Sequence, residues 1–253
     1  MSFDGLPPQS ISVVIPTYNE KENIPILVKD LMTIPGVHVM VLDDQSPDGT
    51  GKVADQLAAE YPGRVFPMHR TGQRGLGVSY LEGFHRAIAS DFDFVGQMDA
   101  DLSHDPEYLP AMIEAAAKGA DLVIGSRYLN GISVVNWPLR RIILSQFANF
   151  YIRTVTGLRL RDITTGYRIW RRTSLAKLPL DRIVSDGYAF LLDVTFMAAD
   201  AGLGIEESPI IFIERRQGAS KLSSGVLIES LFTPWKLILR HGRIRAARPN
   251  GSR

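Results

Sequence analysis

Short apolar runs alternate with helix-like segments over the first half of the chain, and this alternation constrains the fold more than any other feature. Between the runs, apolar residues recur every three or four positions, as on one side of an amphipathic helix from Ile24 to Met32. Strands that alternate with helices at this spacing are typical of α/β proteins. We therefore expect a doubly wound, mostly parallel sheet with helices on both faces. The five strand-like runs begin near Ile11, Val37, Arg64, Phe92 and Leu122.

The composition narrows the classes of function. The 253 residues carry a formal net charge of +1, so no overall positive field attracts nucleic acid. The chain has no cysteine, which excludes disulfides, thiolate metal sites and cysteine nucleophiles. Its first residues lack the features of a signal peptide, and no apolar run reaches the roughly 20 residues of a spanning helix. We expect a cytoplasmic protein that is soluble or attached peripherally to a membrane.

Two carboxylates, Asp99 and Asp101, follow the strand-like run that ends at Met98. Side chains at positions i and i+2 of an extended segment point the same way, so the two carboxylates repel each other unless a cation lies between them. Hard oxygen ligands suit Mg²⁺ or Mn²⁺, which commonly bridge to substrate phosphates. The alternative is that one carboxylate is solvated in a loop and the other caps a helix. The position at the carboxyl end of a strand favours the metal site, because ligands of open α/β sheets bind there.

Polar segments also follow the first two strands, at residues 16–20 and 43–46. The carboxyl ends of parallel strands lie on one edge of a sheet, so we expect these segments to converge with Asp99 and Asp101 on one crevice. Turn formation is the alternative for each segment taken alone. A metal site beside carboxylates that accept N–H groups from a base fits a nucleoside diphosphate, and Arg127 after the fifth strand would supply a cation.

Three other features are better explained by ordinary structure. Gly75 and Gly77 lack the third glycine of a dinucleotide-binding fingerprint, and we expect a tight turn before a helix there. His104, close to the two carboxylates, is expected to stack or hydrogen-bond in its loop rather than to bind a metal. Arg216 is expected to be a solvated surface charge.

Seven segments, taken in order, resemble the dolichol-phosphate (polyprenol-phosphate) mannose synthases, which are inverting family-2 glycosyltransferases with a GT-A fold. The resemblance covers nearly the whole chain and is closest to bacterial forms without transmembrane spans. It implies transfer of mannose from GDP-mannose to a polyprenyl (dolichyl-type) monophosphate with inversion, with a divalent metal, Mg²⁺ or Mn²⁺, as cofactor. The segments are IPTYNE (15–20), DDQSPDGT (43–50), GLG (75–77), MDADLSH (98–104), GSRY (125–128), DITTGYR (162–168) and GASK (218–221).

The resemblance also implies roles for individual positions. Asp99 and Asp101 match the metal ligands. Two departures from the family pattern stand nearby: Gln45 replaces a usually small residue, and Ser103 replaces a glutamine that ligates the metal in some relatives. The implied catalytic residues are Asp101, Arg127, Arg141 and Lys221. The implied substrate contacts are Pro16, Tyr18, Glu20, Leu42 and Asp44 for guanosine, Asp99, Ala100, Arg127, Arg215 and Lys221 for the rest of the donor, and Arg141 and Ser145 for the acceptor phosphate.

The implied acceptor is a lipid, so the chain has to reach a membrane. We expect a GT-A domain over residues 1–223, with an acceptor loop and an interfacial helix region at about 131–160, and an amphipathic, basic segment over 224–253. Apolar residues beside cations in these two regions would dock on the membrane, including Trp235, Leu237, Ile238 and Leu239. Core packing is the alternative for both regions. A membrane-anchoring partner protein is another route to the lipid, and the sequence does not fix the oligomeric state.

Several reactions are compatible with these motifs. The acceptor phosphate is already anionic at pH 7, so catalysis would rest on positioning and electrostatics rather than on a general base. The nearest alternative is UDP-glucose-dependent glucosyl transfer to polyprenyl phosphate, followed by another family-2 transferase with a sugar acceptor. The Gln-x-x-Arg-Trp signature of processive synthases is absent from the sequence. The intact pair Asp99 and Asp101 argues against an inactive nucleotide-sugar sensor.

Overall fold

The computed structural model describes residues 9–183, 185, 187–214, 232–239 and 244. The strands in this part of the chain are β1 (Ile11–Thr17), β2 (Val37–Asp43), β3 (Val65–His69), β4 (Phe94–Gln97), β5 (Leu122–Ser126), β6 (Val134–Val135), β7 (Arg168–Arg171), β8 (Ile205–Pro209) and β9 (Phe212–Ile213). The α-helices are α1 (Ile24–Met32), α2 (Thr50–Glu60), α3 (Leu76–Ile88), α4 (Leu109–Ala117), α5 (Leu139–Thr156), α6 (Arg172–Leu175), α7 (Gly187–Asp200) and α8 (232–239).

A seven-stranded sheet in the order β3-β2-β1-β4-β7-β5-β8 forms the centre of the molecule. Its strands are parallel except β7, which is antiparallel to both β4 and β5. The predicted α/β sheet is therefore confirmed, whereas the reversed strand inside it was not predicted. Strands β6 and β9 form a separate, parallel two-stranded sheet.

Apolar side chains of the central strands alternate between two hydrophobic clusters, one on each face of the sheet. Val13 and Ile15 belong to one cluster with residues of α1 and α4, and Val14 between them belongs to the other, with residues of α3 and α7. Because side chains of a strand point alternately to opposite faces, a sheet buried on both faces requires apolar residues at consecutive positions. Burial of the sheet on both faces therefore explains the uninterrupted apolar runs of the sequence.

The first strand, the second strand and the fourth strand each end in a turn with a left-handed residue. These residues are Asn19 after β1, Gln45 after β2 and Leu102 after β4, with φ of 59°, 59° and 63°. Asparagine tolerates this conformation, but it is unusual for leucine and costs free energy that the surroundings must offset. The strained turns reverse the chain directly behind the strand ends, which keeps the polar side chains of these segments at the carboxyl edge.

Helices α5 and α8 pack together on the outside of the sheet domain. The indole Nε1 of Trp235 in α8 donates to the hydroxyl of Tyr151 in α5 over 2.8 Å. Leu237 of α8 is buried in the same hydrophobic cluster as Ile152 of α5. None of the helices in the described part of the chain has the length and apolar character needed to cross a bilayer.

Candidate active site

The topology brings the three predicted polar segments together. Strands β2, β1 and β4 are neighbours in the sheet and run in the same direction, so their carboxyl ends share one edge. The backbone N–H of Asp44 donates to the carbonyl of Thr17 over 2.9 Å, which ties the second segment to the first. Ligands of open α/β sheets bind in a crevice outside this edge.

Asp99 and Asp101 lie at the end of β4 and are oriented by different neighbours. The hydroxyl of Tyr80 in α3 donates to Oδ1 of Asp99 over 3.2 Å. Ser103 donates to Oδ1 of Asp101 twice, from its backbone N–H over 3.1 Å and from its hydroxyl over 2.5 Å. Burial, with a contribution from Asp99, raises the pKa of Tyr80 well above its ordinary value, so this hydroxyl keeps its proton and acts as a donor.

The space around the two carboxylates fits a divalent cation. A Cβ added to Gly166 would lie 3.1 Å from Oδ1 of Asp99, so the glycine keeps a side chain away from this carboxylate. Asp99 is partly exposed, with 36% of its side-chain surface accessible, while Asp101 is buried. Within the described residues no group of three or more acidic or histidine side chains forms a cation site. A cation held by this pair would take its other ligands from water and substrate oxygens, as Mg²⁺ and Mn²⁺ commonly do.

His104 has the structural role that its position predicts. Its Nδ1 accepts a hydrogen bond from the backbone N–H of Asp99 over 3.1 Å, and its ring stacks on Tyr167 at 5.1 Å between centroids. Burial lowers the pKa of His104 below its ordinary value, against the opposing charges of Asp99 and Asp101. The ring is therefore neutral at pH 7 and holds the turn that carries the two carboxylates.

Asp44, predicted to bind the guanosine part of a donor, is held in place by the loop after β3. Its Oδ1 accepts from Nη1 of Arg70 over 2.5 Å, and its Oδ2 accepts from the backbone N–H of Gly75 over 2.9 Å. Arg70 also donates to Ser79 and Glu82, so the carboxylate is fixed by a network of buried and half-buried groups. Both oxygens retain lone pairs, because each has only one of these partners.

The other predicted guanosine contacts lie in β1 and β2 or directly after β1, on the same edge of the sheet as Asp44. Tyr18 lies at the edge of the site, and the guanidinium carbon of Arg74 lies 5.1 Å from the centre of its ring. The carboxylate of Glu20 accepts from the side-chain amide of Asn23 over 2.8 Å, and Pro16 is half-buried in β1 opposite Leu42. The side chains of Leu42 and Ala100 are buried in the core, so these two residues can offer a ligand little more than backbone.

Arg127 follows β5 at the predicted edge but is neutralised inside the protein. Its Nε and Nη2 donate to Oδ2 and Oδ1 of Asp162 over 2.6 and 2.7 Å, and Nη2 also donates to the hydroxyl of Thr164 over 2.7 Å. Burial acts to raise the pKa of Asp162, but the charge and hydrogen bonds of Arg127 outweigh burial and lower it. A direct contact of Arg127 with a diphosphate stays a prediction, and its present role is to fix the loop of residues 162–166.

The predicted acceptor residues lie on one side of helix α5. Arg141, Ser145 and Asn149 are four positions apart and so share a face of the helix. Arg141 donates to Glu214 over 2.6 Å, and Ser145 accepts from the hydroxyl of Tyr128 over 2.8 Å. Asn149 accepts from the backbone N–H of Ile163 over 2.8 Å, which joins this face to the loop that holds Arg127.

Several site residues escaped the sequence analysis, and two predicted ones lie outside the described residues. These two residues are Arg215 and Lys221. The surface position expected for Arg216 also lies outside the described residues. The missed residues are the supporting partners Arg70, Tyr80, Asp162 and Gly166. The last two belong to the segment DITTGYR, which was singled out without a role, and no local pattern connects Tyr80 or Arg70 with the carboxylate that each one contacts.

Comparison with known protein families agrees with this architecture. The family model described as glycosyl transferase family 2 matches residues 12–178. The polyprenol monophosphomannose synthase of Mycolicibacterium smegmatis is 46% identical over 243 residues, which span 96% of this chain and 91% of that protein. The undecaprenyl-phosphate mannosyltransferase of Micrococcus luteus is 45% identical over 239 residues, which span 93% of this chain and 98% of that protein.

Solved structures share the fold at much lower identity. Glucosyl-3-phosphoglycerate synthase from Mycobacterium tuberculosis, crystallised with Mn²⁺, UDP and glucosyl-3-phosphoglycerate, superimposes with a TM-score of 0.66 at 19% identity, covering 93% of this chain and 81% of that one. Its complex with Mn²⁺, UDP-glucose and phosphoglyceric acid gives a TM-score of 0.65 at 20% identity, covering 93% and 80% of the two chains. The predicted GT-A fold is thereby confirmed.

Proposed function

The chain belongs to glycosyl transferase family 2, and on that basis we propose that it transfers mannose from GDP-mannose to a polyprenyl monophosphate with inversion. Membership of the family makes the protein a glycosyltransferase. The names of two relatives at 45–46% identity support mannose as the sugar and polyprenyl phosphate as the acceptor. The observation that carries the proposal is that one loop, residues 162–166, contacts both groups of predicted residues: Gly166 lies against Asp99 at the end of β4, and Ile163 binds Asn149 on the face of α5 that carries Arg141 and Ser145.

The donor side combines a base site with a phosphate site. Asp44, fixed by Arg70 and Gly75, presents carboxylate lone pairs to the N–H groups of a guanine. Asp99 and Asp101 would hold a divalent cation, Mg²⁺ or Mn²⁺, which would neutralise charge on the diphosphate of the leaving GDP. The Mn²⁺ in the solved glucosyltransferase complexes supports a divalent metal without distinguishing between the two ions.

The acceptor side needs to position an anion rather than to remove a proton. A phosphate monoester carries between one and two negative charges at pH 7, so its oxygen is already a nucleophile. Arg141 and Ser145 would hold this phosphate so that its oxygen faces the anomeric carbon of the sugar. The new bond joins the phosphate oxygen to the anomeric carbon, and the bond from that carbon to the β-phosphate oxygen of GDP-mannose breaks. Attack from the opposite face inverts the configuration.

An exposed apolar surface lies next to the acceptor site, and we assign it to the membrane. Tyr151 and Trp235 join α5 and α8 by their hydrogen bond, so the surface extends over both helices. Apolar side chains at this density on a helix, next to cationic groups, are typical of interfacial helices. We expect this contact at the cytoplasmic face of the membrane. The exposed residues are Leu139, Ile143, Leu144, Phe147, Phe150, Phe232, Trp235 and Leu239.

Part of the predicted membrane contact is corrected by the structure. Leu237 is only 2% exposed and packs in the main cluster, so it belongs to the core and not to the interfacial surface. Residues four positions apart share a helix face, and buried Thr233 precedes Leu237 by one such interval. Trp235 and Leu239 lie on the exposed side, as predicted. A truncation that removes α8 would therefore remove core packing together with any membrane contact.

A donor panel tests the proposed reaction. The full chain is incubated with vesicles that contain a polyprenyl phosphate, with GDP-mannose or UDP-glucose as donor, and with Mg²⁺, Mn²⁺ or EDTA. We expect a mannolipid from GDP-mannose only, formed only with metal, whose anomeric configuration is opposite to that of the donor by NMR. Asp101→Asn serves as the inactive control. Formation of a glucolipid from UDP-glucose in place of the mannolipid, or retention of configuration, would contradict the proposal.

A further inference from the structure

The three tryptophans of the chain differ in how their indole N–H groups are satisfied. Trp170 donates to the side-chain oxygen of Gln97 over 2.7 Å, and Trp235 donates to the hydroxyl of Tyr151 over 2.8 Å. The Nε1 of Trp137 is buried, and no acceptor for it lies within hydrogen-bond distance in the described part of the chain. Buried donors are normally paired, because an unpaired one keeps the cost of losing its water. Among the described residues, Trp137 therefore lacks the acceptor atom that a buried N–H normally has.

The groups around Trp137 indicate which kind of acceptor atom would complete its hydrogen bond. The guanidinium carbon of Arg141 lies 4.1 Å from the centre of the indole ring, and that of Arg127 lies 5.3 Å from it. The ring of Phe212 meets the indole edge-on at 5.3 Å. Two cations and an apolar ring provide no acceptor, but cations attract an anion whose oxygens can accept from N–H groups. Phosphate oxygens have this property.

The two-stranded sheet of β6 and β9 fixes the position of Trp137. The residue lies between β6 and α5, and β6 pairs with β9, which contains Phe212. The backbone N–H of Ser133 donates to the carbonyl of Arg127 over 2.9 Å, which ties the start of this segment to the end of β5. The indole consequently lies beside both Arg127, predicted for the donor diphosphate, and Arg141, predicted for the acceptor phosphate.

A ligand can reach this place because Arg141 is open to solvent. Its side chain is 28% exposed, and its carboxylate partner Glu214 is 35% exposed. A phosphate that binds Arg141 competes with Glu214 for the guanidinium and arrives beside the indole. Arg127, by contrast, is buried with its charge matched by Asp162, so of these two arginines Arg141 is the more accessible to an entering anion.

We propose that the indole N–H of Trp137 donates a hydrogen bond to a phosphate oxygen of a substrate bound at Arg141. This inference rests on the proposed function and names one further binding residue for it. Two groups carry the required chemistry, the monoester phosphate of the lipid acceptor and the diphosphate of the sugar nucleotide. The test has one arm for each.

The direct measurement is the indole N–H resonance of Trp137 in the full chain. Three indole signals are expected from three tryptophans, and Trp137→Phe and Trp235→Phe assign them. The protein is titrated with farnesyl phosphate in one arm and with GDP and Mg²⁺ in the other. We expect the Trp137 proton to move downfield and saturate in one or both arms, while the buried, paired indole of Trp170 stays unchanged. Farnesol, which has the same chain without phosphate, is the matched control.

A Trp137 signal that stays in place in both arms overturns the proposal, as does an equal shift with farnesol.

A second measurement replaces Trp137 by benzothienylalanine, in which sulfur takes the place of the N–H with little change in ring size. Loss of one hydrogen bond to a charged group predicts roughly 10-fold weaker binding of the phosphate ligand at unchanged melting temperature. Unchanged affinity would contradict the hydrogen bond.

The titration separates this inference from the proposed reaction, because it needs no mannose transfer. If the donor panel yields no mannolipid but Trp137 responds to a phosphate ligand, the reaction is wrong and the phosphate contact stands. If mannolipid forms and Trp137 does not respond, the reaction stands and the contact is wrong.

Discussion

Asp162 accepts three hydrogen bonds from a single residue, Arg127, one from its backbone N–H over 3.0 Å and two from its guanidinium over 2.6 and 2.7 Å. Both side chains are buried, so neither charge is compensated by water. Two parallel N–H groups of a guanidinium match the two oxygens of a carboxylate, and this geometry is the strongest form of the pair. Arg127 therefore anchors the loop between α5 and β7, whatever else it contacts when substrates bind.

Breaking this pair should destabilise the fold. Asp162→Asn keeps the shape of the side chain but leaves the guanidinium of Arg127 buried without a counter-charge. We expect a loss of about 3–5 kcal/mol in the free energy of unfolding, measured by urea denaturation. The matched control is Glu114→Gln, which breaks the exposed pair with Lys118 and should change stability by about 0.5 kcal/mol or less. Equal effects of the two substitutions would show that Asp162 and Arg127 do not form a stabilising buried pair.

The same carboxylate should make stability depend on pH in the acid range. Burial raises the pKa of Asp162, but Arg127 outweighs it, so the pKa in the folded state is lower than its ordinary value of 3.8. The unfolded chain then takes up the proton first, and the contribution of Asp162 to stability, complete above 3.8, is lost as the pH falls toward the folded-state pKa. The stability gap between wild type and Asp162→Asn should narrow below pH 3.8. A gap that stays constant or widens there would contradict the lowered pKa.

The carboxylate pair at the end of β4 should bind metal with help from Ser103. Asp101→Asn should abolish both transfer and Mn²⁺ binding in the presence of GDP, measured by calorimetry. Ser103→Ala removes one of the two hydrogen bonds to Oδ1 of Asp101 and should weaken Mn²⁺ binding by roughly 10-fold, as loss of a supporting partner commonly does. Full activity of the wild type in EDTA would rule out the metal site.

Arg141 should affect the acceptor and spare the donor. Arg141→Ala removes a charge-assisted contact with the phosphate, which is worth roughly 1.5–3 kcal/mol. We expect KM for polyprenyl phosphate to rise accordingly, while the affinity for GDP measured by calorimetry stays the same. The control is Arg140→Ala, which removes an exposed neighbour in the first turn of the same helix. The division into donor and acceptor sides is wrong if GDP binding falls as much as use of the acceptor.

Membrane binding should depend on the exposed side chains of α5 and not on apolar exposure in general. Phe147→Ser with Phe150→Ser removes two side chains that are each more than half exposed, and co-sedimentation with vesicles should decrease at unchanged stability. Ile26→Ser, an equally exposed apolar position on α1, should leave sedimentation unchanged. Leu237→Ala should instead lower stability by about 2–5 kcal/mol, because it opens a cavity in the core. Unchanged sedimentation of the double variant would point to a partner protein as the anchor.

The hydrophobic periodicity of the sequence was sufficient to predict most strands of the sheet, because buried parallel strands and amphipathic helices each have a recognisable local pattern of apolar residues. It located β1 to β5 within a few residues and placed the polar segments on one edge. The reversed strand β7 could not be found in this way, since its four residues Arg168–Arg171 contain only two apolar side chains and their pattern carries no direction. Its pairing with β4 and β5 is decided by distant partners.

The prediction of the site was limited for the same reason, because several of its contacts join residues that are far apart in the sequence. Asp101 and Ser103 are neighbours in the sequence, and their chemistry was visible there. Tyr80 lies 19 positions from Asp99, and Asp162 lies 35 positions from Arg127, so no spacing rule joins them. The sequence analysis also assigned both sides of α8 to the membrane surface. In a short helix rich in apolar residues, the side that faces the core can be recognised only when the neighbouring elements are known.

Strand β7 enters the sheet from the edge at which β4 and β5 end, because it runs in the opposite direction. The five residues 162–166 that lead into it therefore contact both predicted substrate sites: Gly166 lies against Asp99, and the backbone N–H of Ile163 donates to Asn149, on the face of α5 that carries Arg141. A single short piece of backbone thus touches both the carboxylates predicted for the donor and the helix face predicted for the acceptor. A substitution in this segment would therefore disturb both groups of residues at once.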